Sequence, residues 1–276
     1  MSQLPGKATQ GRSYDPDLFA PLFAIEDRHF WFRARNRVIG TVVRQTEPLM
    51  APGYRVLEVG CGTGNVLRVL EQCCTRGTVV GMDLFAESLR CARGRTSCLL
   101  VQGDVQAPPF DTGFDLIGVF DLLEHMSGDA QVLSILHGLL APEGRLLLTV
   151  PAHPSLWSYF DEVSHHCRRY RPDELEGKLS HAGYEVEYMT QYMAAILPWV
   201  WLRRAFAGLV DRTMGGDAAR SADLALNELR VRPVMNEILV RLLSGEAWLL
   251  ARRWRLPFGA SLLAVARKTG RGKCSS

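Results

Sequence analysis

The stretch that decides the fold is residues 55–65, which read RVLEVGCGTGN. A short apolar run that contains one acid, Glu58, is followed by glycine at every second position, at Gly60, Gly62 and Gly64. Glycine weakens a regular element because it loses more conformational freedom on folding than any other residue. Three glycines directly after a buried strand therefore predict a loop whose backbone comes close to a ligand, with the free amides of a following helix as donors.

Strands and helices alternate outward from this loop. The further predicted strands are GTVVGMDLF, SCLLVQGDVQ, FDLIGVFDLLEHM and RLLLTVPAH, and the helices between them are NVLRVLEQC, AESLRCARGR and DAQVLSILHGLLAPEG. Strands that alternate with helices of about 10–15 residues predict a parallel sheet covered on both faces. The sequence therefore predicts an α/β protein with a Rossmann-like, doubly wound sheet.

The pattern changes on either side of this core. PDELEGKLSHAG predicts a helix, YEVEYMTQYM a strand and SLLAVARK a last strand, with arginine-rich helices before it and more helices near the N-terminus. Four segments are predicted: 1–47 as a tail and helical lid, 48–193 as the cofactor-binding core, 194–256 as a helical insertion, and 257–276 as the last core strand and a tail.

Composition limits the functional class. The chain has 276 residues, of which 47% are hydrophobic and 22% charged, so a folded domain is expected. A net charge of +3 is too small to indicate nucleic acid, although residues 194–276 hold 14 Lys and Arg against 6 Asp and Glu. Seven cysteines without metal or disulfide spacing, and an N-terminus without a signal peptide, predict a cytoplasmic protein. The longest apolar run, 193–202, is too short to span a bilayer, which needs about 20 residues.

A glycine-rich loop after a strand is also typical of dinucleotide binding, so the acids near it matter. The spacing is G-x-G-x-G rather than G-x-G-x-x-G, and Glu58 would repel a pyrophosphate but suits a ligand with an ammonium group. Asp83, 19 residues past Gly64, ends the second strand, where an acid accepts from both ribose hydroxyls. Asp104 ends the third strand at the same sheet edge and could accept from an adenine amino group.

These motifs together resemble class I S-adenosylmethionine-dependent methyltransferases. EVGCGTG, Asp83, GDV and FDLLEHM match that family in type, order and spacing over roughly residues 50–150. The resemblance implies a seven-stranded sheet with an antiparallel last strand and S-adenosylmethionine as the cofactor. It also implies these cofactor contacts in the core: Glu58, Gly60, Cys61, Gly62, Gly64, Asp83, Leu84, Asp104, Val105, Phe120 and Asp121.

A second resemblance concerns the flanking segments. HFWFRARNRVI at 29–39, LWSYFDEVSHHCRRY at 156–170 and LPFGASLLAVARK at 256–268 are similar to a subgroup of bacterial methyltransferases. Its members often act on small molecules or on lipid-linked and glycolipid compounds. Trp31 and Arg33 are expected to close over the cofactor, with the arginine on its carboxylate. The alternative is a helix that only packs on the sheet.

Two histidines are candidates for acting on the methyl acceptor. His125 follows the fourth strand, and His166 lies five residues after Asp161 in the segment after the fifth strand. Histidine is the usual base near neutral pH, but each could instead have a purely structural role. Contacts with the substrate are expected from His165, Arg169, Tyr170 and Trp157. No metal site is predicted, because His125, His153, His165 and His166 lack ligand spacing.

The predicted function is methyl transfer to a nucleophilic atom, preferably a hydroxyl oxygen, of a hydrophobic small molecule or specialised metabolite. The alternatives are a protein of this fold that binds the cofactor but catalyses another reaction, such as a cyclisation, or none, and a less favoured NAD-dependent oxidoreductase. A nucleic-acid methyltransferase is disfavoured because FDLLEH lacks an aromatic platform. The apolar stripe that includes Val234, Ile238 and Leu242 predicts a helical cap, a tunnel for a lipid-like acceptor or a peripheral membrane contact.

Overall fold

The computed structural model describes residues 19–198 and 230–269. Within them seven strands form one sheet in the order β3-β2-β1-β4-β5-β7-β6. The strands are β1 (Arg55–Val59), β2 (Thr78–Asp83), β3 (Leu99–Gln102), β4 (Phe114–Phe120), β5 (Leu140–Pro151), β6 (Tyr184–Tyr192) and β7 (Ser261–Lys268). Strands β1 to β5 pair in parallel, and β7 runs antiparallel between β5 and β6. The predicted Rossmann-like sheet with an antiparallel last strand is confirmed.

The described helices connect the strands and cover the sheet. They are α1 (Phe19–Glu26), α2 (Phe30–Thr46), α3 (Leu67–Cys73), α4 (Ala86–Arg93), α5 (Asp129–Leu139), α6 (Tyr159–Val163), α7 (Pro172–His181) and α8 (Pro233–Ala251). Short 3₁₀ turns lie at Glu47–Leu49, Leu123–His125 and Pro154–Leu156.

Strand β1 shows why the core has two layers. Successive side chains of a strand point to opposite faces, so neighbouring apolar residues enter different layers. Val56 packs in the layer that contains α2 and α3, whereas Leu57 packs in the layer that contains α5 and α7. Both residues are fully buried, as expected for a parallel strand covered on both faces.

The fourth strand ends earlier than the sequence predicts. The apolar run FDLIGVFDLLEHM indicates a strand to Met126, but β4 stops at Phe120 and a 3₁₀ turn follows at Leu123–His125. Asp121 adopts a left-handed backbone conformation, with φ of 53°, which a strand cannot continue. Its amide still donates to the carbonyl of Thr149 in β5 (3.0 Å), so the turn begins on the sheet edge.

The predicted insertion between β6 and β7 is described in part. Helix α8 falls within it and packs on α2, where the amide of Phe30 donates to Oδ1 of Asn236 (2.6 Å). Residues 199–229 lie outside the described residues, and they include much of the insertion and part of the apolar run 193–202. The polar N-terminal tail at 1–16, part of the predicted segment 1–47, also lies outside them. Among residues 19–198 and 230–269, we find no helix with the length and apolar character that crossing a bilayer requires.

Candidate active site

The glycine loop leaves one position open for a ligand. All three glycines have positive φ, at 72° for Gly60, 52° for Gly62 and 79° for Gly64. A Cβ atom on Gly60 would meet Leu122 at 2.9 Å, and one on Gly64 would meet Ala92 at 3.0 Å. A Cβ atom on Gly62 would meet nothing within 4 Å, so the backbone there is accessible to a bound molecule.

Asp83 holds the loop from the end of β2. Its Oδ2 accepts from the amide of Gly62 (2.8 Å), and its Oδ1 accepts from the amide of Phe85 (3.0 Å) and the hydroxyl of Ser88 (2.7 Å). A carboxylate offers about four acceptor sites. Asp83 therefore shapes the loop and keeps acceptor capacity on Oδ2 for a ribose hydroxyl.

Glu58 is a buried acid directly beneath this loop. It is 2% exposed, and its Oε2 atom makes no hydrogen bond in the structure. Burial raises the pKa of Glu58 well above its usual value, although the nearby Arg35 guanidinium opposes the shift. An orphaned carboxylate oxygen at this place fits a ligand that brings an ammonium group, as S-adenosylmethionine does.

The other predicted cofactor residues lie along the same sheet edge. Leu84 presents a 46% exposed apolar side chain after β2. Asp104 is exposed, and its Oδ1 accepts from the amide of Gln106 (2.8 Å). Of the remaining four, Asp121 is half-buried, and Cys61, Val105 and Phe120 are buried in the core. Burial raises the pKa of the Cys61 thiol well above its usual value, which agrees with a small packing residue rather than a nucleophile.

Helix α1 docks on the glycine loop through a buried ion pair. The Arg95 guanidinium, 3% exposed on its side chain, pairs with Glu26 at the end of α1 and donates to the carbonyl of Phe23 (2.6 Å). Glu26 also accepts from the hydroxyl of Thr63, which lies between two of the loop glycines. The N-terminal segment therefore contacts the loop directly, as a lid over it would.

Two arginines of α2 have different partners. Arg33 pairs with Glu237 of α8 (2.9 Å), and its contact with the cofactor stays a prediction. Arg35 is 8% exposed, pairs with Asp121 (2.8 Å) and donates to Oδ1 of Asn65 (3.3 Å). Trp31 is partly buried against the core layer beneath α2.

A helical wheel could have identified Arg35. Ala34, Val38, Ile39 and Val42 form the buried stripe of α2, and position 35 lies on that stripe while position 33 does not. An arginine on an apolar helix face must have a partner, which here is Asp121.

The acceptor side centres on a buried aspartate in α6. Asp161 is completely buried, and its Oδ1 accepts from Nδ1 of His166 (2.9 Å) and Nε of Arg169 (2.7 Å). Its Oδ2 accepts from the amide of Ser158 (2.8 Å), which caps α6. Burial opposes ionisation of Asp161, but these donors outweigh it and lower its pKa. Asp161 therefore holds His166 with Nδ1 as the donor and leaves Nε2 as the acceptor.

The turn after β4 brings two further groups to His166. The rings of His125 and His166 lie 4.8 Å apart between centroids, nearly perpendicular at 83°. Burial, reinforced by His166, lowers the pKa of His125 to about 4, so it is neutral at physiological pH. Glu124 is 1% exposed, and burial raises its pKa well above the usual value. Sequence reasoning missed Glu124, because an acid next to a histidine at a strand end has no distinctive spacing.

The other residues of the HHCRRY segment have different surroundings. Tyr170, a predicted substrate contact, is completely buried, and its hydroxyl donates to Asp129 (2.8 Å) behind the segment, so it cannot touch a ligand at the sheet edge. Arg169 is 7% exposed and bound to Asp161, which makes it a supporting residue. His165 is exposed, and Trp157 is 38% exposed with its indole N–H directed to Glu162 (3.4 Å).

Comparison with known proteins places this geometry in a family. The family model for a methyltransferase domain matches residues 24–188, more than half of the chain. This chain belongs to the methyltransferase domain family. A Mycolicibacterium smegmatis protein named "Probable S-adenosylmethionine-dependent methyltransferase" is 28% identical over 59% of this chain and 62% of that protein. A ubiquinone biosynthesis O-methyltransferase of Xylella fastidiosa is 30% identical over 58% of this chain and 70% of that protein.

A solved structure shows the same fold over most of the chain. A Haloferax volcanii methyltransferase in complex with the Trm112 methyltransferase activator has a TM-score of 0.60 at 18% identity, covering 92% of this chain and 97% of that one. In three curated relatives the chain spans 38%, 62% and 70% of their length. The predicted cofactor, S-adenosylmethionine, is confirmed by the family and by the names of the relatives.

Proposed function

We propose that this methyltransferase transfers the methyl group of S-adenosylmethionine to a nucleophilic atom, preferentially a hydroxyl oxygen, of a hydrophobic small molecule. The observation that carries the proposal is the Asp161–His166 pair, with 2.9 Å between Oδ1 and Nδ1, beside His125 and on the same sheet edge as the glycine loop. An imidazole oriented by a buried carboxylate is a common arrangement for removing a proton from an acceptor.

The glycine-loop residues would hold the cofactor. Gly62 provides open backbone, Asp83 accepts from the ribose, and Glu58 compensates the ammonium group with its unbonded Oε2. Arg35, rather than Arg33, is the arginine placed to meet the carboxylate of the methionine part, since it connects Asn65 of the loop to Asp121. Bound there, the cofactor supplies a sulfonium methyl group, which is an electrophile.

The acceptor-side residues would orient the hydroxyl and take its proton. Nε2 of His166 would accept the proton of the acceptor hydroxyl as the methyl carbon exchanges its bond to the cofactor sulfur for a bond to the acceptor oxygen, and Asp161 would stabilise the imidazolium that results. His125 stays neutral beside it, because burial disfavours its charged form. The turn after β4 also contacts the glycine loop directly, because Leu122, next to Asp121, packs over Gly60.

An apolar acceptor is supported by the surface near the lid. Helix α8, which packs on α2, exposes Val234 (77%), Met235 (54%) and Ile238 (54%). The Xylella relative is named for methylation at oxygen in ubiquinone biosynthesis, a name that agrees with this class of acceptor without identifying one here. A peripheral membrane contact through the same face of α8 remains a prediction, which co-sedimentation with phospholipid vesicles tests.

The decisive experiment has two stages. Calorimetric titration with S-adenosylmethionine and S-adenosylhomocysteine is expected to show one site per chain for each; absence of binding to folded protein would overturn the proposal. Incubation with methyl-labelled cofactor and a panel of hydrophobic alcohols, phenols and matched amines then measures product formation. Label in ethers of the hydroxyl compounds supports O-methylation. Label only in amines would move the proposal to nitrogen, and no transfer to any compound would favour the cofactor-binding or cyclase alternative.

A further inference from the structure

On the acceptor side, three side chains that could bind a metal ion lie close together, and the proposed function assigns a chemical task to only one of them. One carboxylate oxygen of Glu124 and one ring nitrogen each of His125 and His166 lie within 4.8 Å of one another. Two imidazole nitrogens and a carboxylate oxygen form a donor set that suits divalent transition metals such as zinc, manganese and iron(II). We propose that Glu124, His125 and His166 bind one divalent transition-metal ion.

The state of Glu124 is the first argument for a cation. Its side chain is 1% exposed, and its Oε2 has no hydrogen-bond partner. In the part of the chain that the structure describes, no lysine or arginine nitrogen is within ion-pair distance of it: Arg169 is bound to Asp161 and Arg35 to Asp121. A carboxylate oxygen that is buried without a partner destabilises the folded state, because it has lost its hydrogen bonds to water. A bound cation would remove that destabilisation.

The orientation of His166 is the second argument. Metal-bound histidines almost always donate their other ring N–H to a carboxylate or carbonyl, which fixes the tautomer and the direction of the ligating nitrogen. Asp161 accepts from Nδ1 of His166 at 2.9 Å and is itself held by Arg169 and by the amide of Ser158. This outer shell occupies Nδ1 of His166 and leaves Nε2 as the ring nitrogen available to the ion.

The remaining distance is small enough for side-chain rotation to close. Zinc binds nitrogen and carboxylate oxygen at about 2.0–2.2 Å, so two ligand atoms on one tetrahedral ion lie about 3.3–3.6 Å apart. The three ligand atoms lie within 4.8 Å of one another, so they would approach by up to about 1.5 Å when the ion binds, a movement within the reach of side-chain rotation. The three protein ligands would leave a coordination position open, as in catalytic metal sites.

An open coordination position would let the ion bind the acceptor hydroxyl, a role that rests on the proposed function. An acceptor hydroxyl bound to the ion would ionise more readily, lose its proton to water and present its oxygen to the sulfonium methyl group. The two imidazoles would then be ligands, and the ion would take over the task assigned above to His166 as a base. Whether the ion binds does not depend on which acceptor is used.

The test uses the full chain after treatment with EDTA and removal of the chelator. Titration with Co²⁺, followed by visible absorption, and with Zn²⁺ and Mn²⁺, followed by calorimetry, is expected to give one ion per chain. Glu124→Gln and His166→Ala should each weaken binding of the ion by at least about 10-fold, and Asp161→Asn by about 10-fold through loss of the outer-shell contact. His181→Ala is the matched control, because His181 is exposed at the end of α7 and outside the group, and it should bind like the parent protein.

Titration of the same preparations with S-adenosylmethionine shows that each variant is folded and separates the two proposals. Cofactor binding without metal binding, or equal metal binding by the parent protein, Glu124→Gln and His166→Ala, would overturn the metal site and leave methyl transfer standing. Metal binding without cofactor binding would overturn the proposed function and leave the metal site standing.

Discussion

The cofactor side and the acceptor side of the sheet edge are built in different ways. On the cofactor side, Asp83 is already bonded to the loop amide of Gly62 and to the start of α4, so the pocket is shaped by contacts between neighbouring segments. On the acceptor side, Glu124 keeps an unbonded buried oxygen, and its neighbour His166 comes from a segment beyond β5. The first side is held in shape by completed hydrogen bonds, whereas the second gathers titratable side chains, one of which has an unbonded buried oxygen.

The largest effect is expected from His166→Ala. Turnover should fall by about 100-fold or more, the usual contribution of a positioned acid–base group, while cofactor affinity stays the same. Steady-state kinetics and calorimetry on one preparation measure both. His181→Ala, the same chemical change at an exposed position at the end of α7, should leave turnover unchanged. Equal turnover in the two variants would return His166 to a structural role.

Asp83→Ala should weaken binding on the cofactor side. Loss of the ribose contact and of the loop contact at Gly62 is expected to weaken S-adenosylmethionine binding by about 10- to 100-fold, since hydrogen bonds to charged groups contribute about 1.5–3 kcal/mol. Asp111→Ala, at an exposed loop position, is the control and should bind normally. Normal binding by Asp83→Ala would remove the ribose assignment.

Two of the arginines of α2, Arg33 and Arg35, give a matched pair of variants that tests which arginine meets the cofactor. Arg35→Lys should reduce cofactor affinity by about 10-fold, because lysine cannot reproduce the two-partner contact with Asp121 and Asn65. Arg33→Lys, which changes a partly exposed pair with Glu237, should have no measurable effect on binding. If Arg33→Lys weakens binding and Arg35→Lys does not, the original expectation for Arg33 is restored.

The smallest effect on chemistry is expected from Asp129→Asn, directly behind the acceptor side. Asp129 is 3% exposed and accepts from Tyr170 (2.8 Å), Lys178 (2.8 Å) and Arg168 (3.0 Å). The substitution should lower the free energy of unfolding by about 1–3 kcal/mol and leave turnover of the folded enzyme close to that of the parent. Denaturant unfolding and kinetics at a permissive temperature measure the two quantities.

The same aspartate predicts a dependence of stability on pH. Burial opposes ionisation of Asp129, but hydrogen bonds from Lys178 and Tyr170 outweigh it and lower its pKa. Its contribution is therefore complete above the unfolded-state pKa of about 3.9 and is lost as the pH falls through the lower folded-state value. The parent protein should lose stability more steeply than Asp129→Asn in this acid range; parallel curves would contradict the assignment.

Much of the cofactor side could be predicted because its contacts are local. A strand, three glycines and an acid at the end of the next strand must meet at one edge of a parallel sheet, whatever the rest of the chain does. Arg33 is predicted because it directly follows the aromatic residues, whereas the apolar stripe of α2 favours position 35. Tyr170 was predicted as a substrate contact, but the segment turns it toward Asp129.

The sequence by itself determined the alternation of strands and helices along the chain, the class of the cofactor and the glycine loop that receives it. These follow from hydrophobic periodicity and from residues close together in the chain. Only the tertiary structure decided that Glu124 and His125 meet His166, because that contact depends on how the segment after β5 folds back across the end of β4. Spacing rules cannot anticipate such a group, since its members are brought together by Asp161, which binds His166, and by the amide of Cys167, which donates to the carbonyl of Glu124 (2.6 Å), rather than by the repeat of a helix or strand.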